Sequence, residues 1–333
     1  MSVFYHAAGI ARRMRKPSTP YATKVATHKE IAVQVHSLAD TYVVTFDVGG
    51  SHISAGLCRL DTLSLLRTAS GSLAGIDSFE SFADLIYKLG MEAAAETNLA
   101  GASLAVPGPF DLAAGISQMQ HKLEYLYGKD LRAALAERFR FTPQQIRFLN
   151  DAAAYVLGEV GGGSLRGTAR STGLTLGTGV GCAFVVNGHH VTTGAGVPPG
   201  GEIWNFPYAG ATVEDLISTR AIKAAYAKQS GREKEVSAIA ESAATDATSR
   251  SVFENFGSDL GSVLRDVIAP FHPERVMIGG GIARSAHLFL PAAERKIAGL
   301  NFTLAPATLG DQAPLVGAAQ FWREEAANKT ARA

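Results

Sequence analysis

The chain has 333 residues, with 31 Lys+Arg against 30 Asp+Glu and 47% apolar residues, a length that suits two lobes with a core each rather than one small core. A formal charge of +1 supplies no field to draw the protein to nucleic acid or a membrane surface, and no apolar run reaches the roughly 18 residues of a membrane span. The only cysteines, Cys58 and Cys182, exclude a Cys-rich zinc site and a disulfide framework and point to a reduced, cytoplasmic protein.

Residues 1–40 differ from the rest. Up to Lys29 they carry Arg12, Arg13, Arg15, Lys16, Lys24 and Lys29 with no acid, and Pro17 and Pro20 interrupt them. The segment reads as a solvated, flexible extension rather than a targeting or nucleic-acid arm, because it lacks a sustained amphipathic period. Residues 42–46 read as a buried strand ending in the turn Asp47-Val48-Gly49-Gly50-Ser51, and 53–60 with 63–69 continue an antiparallel meander. Residues 79–96 are helical, with Phe79, Phe82, Ala83, Ile86 and Leu89 on one face. A strand at 102–106 stops at Pro107-Gly108-Pro109. A helix over 131–139 precedes a strand at 146–149, which delivers Asn150 and Asp151 to an Ala-rich helix closed by Gly161-Gly162-Gly163.

The second half opens on a hairpin, 174–176 and 181–186, around Leu176-Gly177-Thr178-Gly179-Val180-Gly181, with a tight turn at Asn187-Gly188. A loop over 194–210 holds Glu202, Trp204, Asn205, Phe206 and Tyr208. Thr212-Val213-Glu214-Asp215 reads as a capping box opening a helix that runs to residue 226. Residues 252–268 are helical and stop before Pro270. A strand over 275–278 runs into Gly279-Gly280-Gly281, with helices beyond. Strands followed by helices, twice over, predict a duplicated α/β architecture.

Four segments carry candidate chemistry. Glycine lets backbone N–H groups approach a phosphate closely, so Gly49, Gly50 and Ser51 after Asp47, and Gly177, Thr178 and Gly179, read as phosphate turns, or equally as glycine-relieved hairpins. Asp47 is placed to hold Mg²⁺ through water. Gly279, Gly280 and Gly281 suit the flat face of a nucleoside or close helix–strand packing. Asp151 is either a helix N-cap or a general base within reach of a hydroxyl; the company of the phosphate turns favours the base. Glu202 lies among aromatics that can stack on a sugar. No Gly-x4-Gly-Lys-Ser/Thr loop and no Gly-x-Ser-x-Gly elbow is present.

Taken together the motifs resemble the ROK family (repressors, open reading frames and sugar kinases) of the actin-like ATPase superfamily, over about residues 41–322. Asp47-Val48-Gly49-Gly50-Ser51 resembles its first phosphate loop, Val106-Pro107-Gly108-Pro109-Phe110-Asp111 its sugar-side segment, Asn150-Asp151-Ala152-Ala153-Ala154 its catalytic block, Leu176 to Gly181 its second phosphate loop, and Ile278 to Gly281 its adenosine segment. Members usually carry Gly-Glu-Ile-Gly-His followed by a zinc-binding cysteine cluster. This chain has Gly201-Glu202-Ile203-Trp204-Asn205 and no such cluster, which resembles a zinc-free branch.

The resemblance implies an α/β fold of two actin-like (ribonuclease H-like) lobes around a central nucleotide and sugar cleft. The lobes are expected at 41–150, with a C-terminal helix at 313–326 packing back on the first, and at 151–312. It implies ATP-dependent phosphorylation of a hexose 6-hydroxyl with Mg²⁺ and no structural zinc; glucose is the expected acceptor, with an N-acetylhexosamine, mannose or fructose as alternatives. Asp151 is the implied base. Pro107, Gly108, Asn150, Glu202 and Asn205 are the implied sugar contacts. The expected partner is the hexose, with no nucleic acid and no membrane, and the family implies homodimers. A sugar-sensing regulator without kinase activity is the reading from another class, since the family includes repressors; residues 1–40 are too short and too Pro-interrupted for its winged helix-turn-helix.

Overall fold

The computed structural model describes residues 40–120 and 123–330; apart from Asp40, the basic extension expected at 1–40 lies outside them. The first sheet begins with the meander β1 (Tyr42–Val48), β2 (His52–Arg59) and β3 (Ser64–Ser72). Helix α1 (Phe79–Ala94) follows, its free N–H groups capped by the Ser78 side chain, which accepts from the Ser81 amide. Strand β4 (Leu99–Val106), a short hairpin β5 (Phe110–Asp111) and β6 (Ile116–Ser117), helix α2 (Leu131–Phe139) and strand β7 (Ile146–Asn150) complete this half. The strand order is β3-β2-β1-β4-β7, with β2 antiparallel to β1 and β4 and β7 parallel to it.

After helix α3 (Asp151–Gly162) the same pattern recurs. Strands β8 (Arg170–Leu176), β9 (Val180–Val186) and β10 (His189–Val191) form a second antiparallel meander. A small hairpin, β11 (Pro207–Tyr208) and β12 (Ala211–Thr212), leads to helices α4 (Val213–Leu216), α5 (Thr219–Ser230), α6 (Val236–Ser242) and α7 (Ala247–Val263). Strand β13 (Arg275–Gly279), helix α8 (Ala286–Ile297), strand β14 (Thr303–Pro306) and helix α9 (Ala313–Thr330) end the described chain. The second sheet has the order β10-β9-β8-β13-β14, with β13 parallel to β8 and to β14. Two sheets of one topology are the duplicated ribonuclease H-like arrangement of the actin-like fold.

Each sheet is covered on both faces, which is why its central strands read as unbroken apolar runs. Val44, Phe46 and Val48 of β1 pack with Phe82 and Ile86 of α1 and Leu131 and Leu135 of α2. Val43 and Cys58, on the opposite face, meet Val316, Ala319 and Trp322 of α9. In the second sheet Ala183, Val185 and Met277 pack against Ala153, Ala154 and Leu157 of α3, while Leu174, Phe184 and Ile278 meet Phe253 and Leu260 of α7 and Phe289 of α8. Helices α3 and α9 therefore lie on the inner faces and cross each other. They approach so closely that a Cβ on Gly158 would strike the Ala313 carbonyl, and one on Gly317 the Ala154 carbonyl. Nothing larger than glycine fits at either point.

Several elements differ from the sequence expectation, among them helix α6 and the short hairpins β5–β6 and β11–β12, which it lacks. The helix expected over 212–226 is two: the Thr212/Asp215 capping box opens α4, the backbone leaves helical geometry at Ile217 and Ser218, and α5 restarts with the Thr219 amide bonded to the Gly177 carbonyl at 2.8 Å. That tertiary bond anchors the start of α5 on the glycine turn. Helix α7 begins five residues earlier than expected, capped by Asp246. Helical backbone then continues through a π turn and a 3₁₀ turn that takes in Pro270, at a position where a missing N–H costs little. Strand β14 was not foreseen, being a four-residue edge strand that ends in proline.

Candidate active site

The strand ends and the inner helices open onto one cleft of about 950 Å³. Asp47 arrives at the end of β1, and Pro107, Gly108 and Pro109 follow β4. Asn150 and Asp151 arrive at the β7–α3 junction, Gly179 in the β8–β9 turn and Gly280 after β13. Glu202 and Trp204 come from the loop before β11, Glu214 from α4, and Pro314 from the start of α9. The order that set these motifs far apart in the chain is undone by the parallel pairings β1–β4 and β4–β7 in one sheet and β8–β13 in the other, whose carboxyl ends open onto the cleft.

At the β7–α3 junction the two polar residues divide their work. Asn150 is the N-cap: its Oδ1 accepts from the Ala152 and Ala153 amides at 3.0 and 3.2 Å. The capping role considered for Asp151 thus belongs to its neighbour. Asp151 is the first helical residue, and its Oδ1 accepts from the Ala152 amide at 2.8 Å. That geometry sets its carboxylate at the positive end of a twelve-residue helix, on the cleft wall.

Asp47 is half-buried, and its pKa rises from 3.8 to about 6. Burial is the largest cause; the negative charge of Asp151 adds to it, His52 opposes it, and Asp311 adds a smaller push. Asp47, Asp151, Glu202 and Glu214 all line the cleft, and no Lys or Arg is among its described lining residues. Arg220, outside the lining, reaches Glu214 at 3.9 Å, so the negative charge of Asp47, Asp151 and Glu202 is what suits a bound cation. Among the described residues no three His, Cys, Asp or Glu side chains converge on one metal position. A cation beside Asp47 would keep most of its water, as Mg²⁺ does.

The glycine turns are partly committed to the protein itself. The Gly49 amide donates to the His52 carbonyl at 3.0 Å and the Gly177 amide to the Gly179 carbonyl at 3.0 Å, so both are hairpin turns as well as cleft walls. Gly49, Gly179 and Gly280 line the cleft. Gly50, Ser51 and Thr178 stand exposed on their turns outside the cleft lining, and Gly177, Gly279 and Gly281 are also outside it. Gly280 has φ +83° and is backed by Leu176, whose carbonyl oxygen a Cβ would meet at 2.5 Å. Only glycine satisfies both conditions. Of the expected sugar contacts, Pro107, Gly108, Asn150 and Glu202 line the cleft, whereas Asn205 is exposed and does not.

Sequence reasoning missed Glu214 and Tyr155. The Glu214 amide donates to the Trp204 carbonyl at 3.0 Å, and its Oε2 accepts from the Val180 amide at 3.1 Å, which holds its carboxylate beside the second glycine turn. The signal was present: Asp215 is the capping-box acid, which left Glu214 as a first-turn acid without a capping task. Tyr155 lies one helical turn after Asp151, its hydroxyl bonded to the Gly280 backbone and its pKa raised by burial. Cys182 lines the cleft floor, but burial pushes its thiol up to about 12, so it is no nucleophile.

A family model described as the ROK family matches residues 43–325. The chain belongs to the ROK family. A glucokinase of Thermotoga maritima is 26% identical over 85% of this chain and 97% of its own length. Among solved structures, a ROK hexokinase from Thermus thermophilus superimposes with a TM-score of 0.75 at 24% identity, covering 86% of this chain and all of its own. A ROK glucokinase from Streptomyces griseus, crystallised with glucose and AMPPNP, has a TM-score of 0.67 at 20% identity over 85% of this chain and 99% of its own. The ROK fold accounts for the duplicated sheets.

Proposed function

We propose that this ROK protein is a sugar kinase that transfers the γ-phosphoryl group of ATP to the 6-hydroxyl of a hexose, glucose being the first acceptor to test. The observation that carries the reading is the single cleft in which Asp151 and Asp47 face glycine turns from both sheets, with Glu202 and Glu214 on its wall. Its similarity to glucokinases and a hexokinase supports the same class.

The acceptor hydroxyl lies within hydrogen-bond reach of Asp151. Its oxygen attacks the γ-phosphorus, the new O–P bond forms as the bond to the β–γ bridging oxygen breaks, the proton passes to the Asp151 carboxylate, and ADP departs. Positioning and charge stabilisation carry most of the acceleration in such transfers. Asp47 would hold Mg²⁺ through water, and the ion would supply the positive charge that the lining side chains lack. Glu202, Glu214 and Asn150 accept or donate hydrogen bonds to ring hydroxyls. The four carboxylates also disfavour an anionic acceptor, so sugar acids and sugar phosphates are poor substrates.

An ADP-release screen over glucose, mannose, fructose, N-acetylglucosamine and N-acetylmannosamine tests the proposal. Sugar-dependent ADP release with at least one of them is expected. Release with none would return the chain to the sugar-sensing alternative.

A further inference from the structure

Trp204 is the one large apolar side chain left exposed on the described cleft wall, at 46%. Its exposure does not come from a loose loop. The Trp204 carbonyl accepts from the Glu214 amide at 3.0 Å, the preceding Ile203 is fully buried, and the Phe206 amide bonds the Ile203 carbonyl at 3.0 Å. The backbone is pinned and the ring is presented. Apolar surface held in water is unfavourable, and that cost is recovered when a ligand covers it.

The ring is bordered by hydrogen-bond acceptors. Its Nε1–H donates to Glu202 Oε2 at 2.7 Å, which fixes the Glu202 rotamer and turns Oε1 into the oxygen offered to a ligand. The backbone bond to Glu214 ties this loop to the start of α4, whose Glu214 carboxylate also lines the cleft. An apolar plate rimmed by acceptors complements a pyranose, whose C–H groups form an apolar face and whose hydroxyls donate outward from the ring edge. The indole stands in Gly201-Glu202-Ile203-Trp204-Asn205 where the resembled motif has glycine, while Asn205 next to it is outside the cleft lining.

We infer that Trp204 is an aromatic sugar platform that also positions Glu202, and that it sets which uncharged pyranose this cleft accepts. The role rests on the sugar-kinase reading only for the identity of the ligand; binding to the platform is measured without turnover.

The chain has two tryptophans, and Trp322 is 8% exposed, so a change in indole emission on adding sugar reports chiefly on Trp204. Glucose, mannose and N-acetylglucosamine are titrated separately into the full chain without nucleotide. At least one is expected to shift the emission to shorter wavelength, and the shift is lost in Trp204→Phe. In steady state Trp204→Ala raises the KM of that sugar about tenfold and leaves the KM for ATP and kcat within about threefold, the signature of lost sugar binding. Trp204→Phe keeps the plate, loses the bond to Glu202 and falls between. Trp204→Gly reorders the three sugars. An unchanged sugar KM in Trp204→Ala, or no emission change in a protein that phosphorylates one of the three, overturns the platform. An emission shift without turnover of any of the five sugars of the ADP-release screen leaves the platform standing and removes the kinase reading; neither response with any of the five removes both.

Discussion

Removing the charge of Asp47 should make the metal-free protein more stable and less able to use ATP. Its carboxyl titrates at about 6 in the fold against an ordinary 3.8, a difference of about 2 units and, at 1.36 kcal/mol per unit, a cost of about 3 kcal/mol once the group is fully ionised. The folded state holds this proton more tightly than the unfolded chain does. The contribution of Asp47 to the stability of the metal-free protein is therefore most favourable below about pH 4, falls as pH rises towards 6, and levels off above it. Asp47→Asn abolishes the ionisation, so its advantage should reach about 3 kcal/mol at pH 8 and about half of that at pH 5, on the order of 5 °C in melting temperature at the higher pH. Thermal melts in EDTA at the two pH values read this directly. The same variant should lose the stabilisation that Mg·ATP gives the wild type, because stability and function are in conflict at this position. An Asp47→Asn protein no more stable than wild type at pH 8, or a gain equal at both pH values, would refute the electrostatic argument.

Further consequences are open to measurement. Asp151→Asn keeps the helix start capped by Asn150, so it should fold normally and bind sugar while sugar-dependent ADP release drops about 10²-fold or more; a loss of stability instead of turnover would assign it a structural role. Glu214→Ala leaves the Val180 amide without its acceptor and should cost about 1–3 kcal/mol in urea unfolding, whereas Glu214→Gln keeps an acceptor oxygen and should cost less. Gly317→Val drives a side chain into the Ala154 carbonyl and should destabilise by about 1–3 kcal/mol or more, with turnover falling too because α3 carries Asp151; an unaffected unfolding midpoint would contradict the tight α3–α9 crossing.

The strand-ending motifs were legible because glycine, proline and paired polar residues leave a chemical mark wherever a strand stops. Asp47-Val48-Gly49-Gly50-Ser51 and Asn150-Asp151 were found on that ground, and all three acids and amides singled out there, Asp47, Asn150 and Asp151, line the cleft. Which backbone amides remain available was not legible: the Gly49 and Gly177 amides close their own hairpins, a pairing set by the facing strand. The break between α4 and α5 follows from the bond of Thr219 to Gly177, a partner some forty residues away. Tyr155 was hidden in an Ala-rich helix, where nothing local separates a cleft-facing ring from a core one. The duplication shows in strand order and register and not in side chains, since a sheet order can be kept while its residues change.

The central claim is that sugar and triphosphate meet in this cleft with the Asp151 carboxylate beside the attacking oxygen. A crystal structure of the protein with glucose and a non-hydrolysable ATP analogue tests it most directly. The account predicts a sugar hydroxyl about 2.6–3.2 Å from the Asp151 carboxylate, on a line towards the terminal phosphate between the two glycine turns. Ligands bound outside the cleft, or a hydroxyl facing away from Asp151, would contradict it.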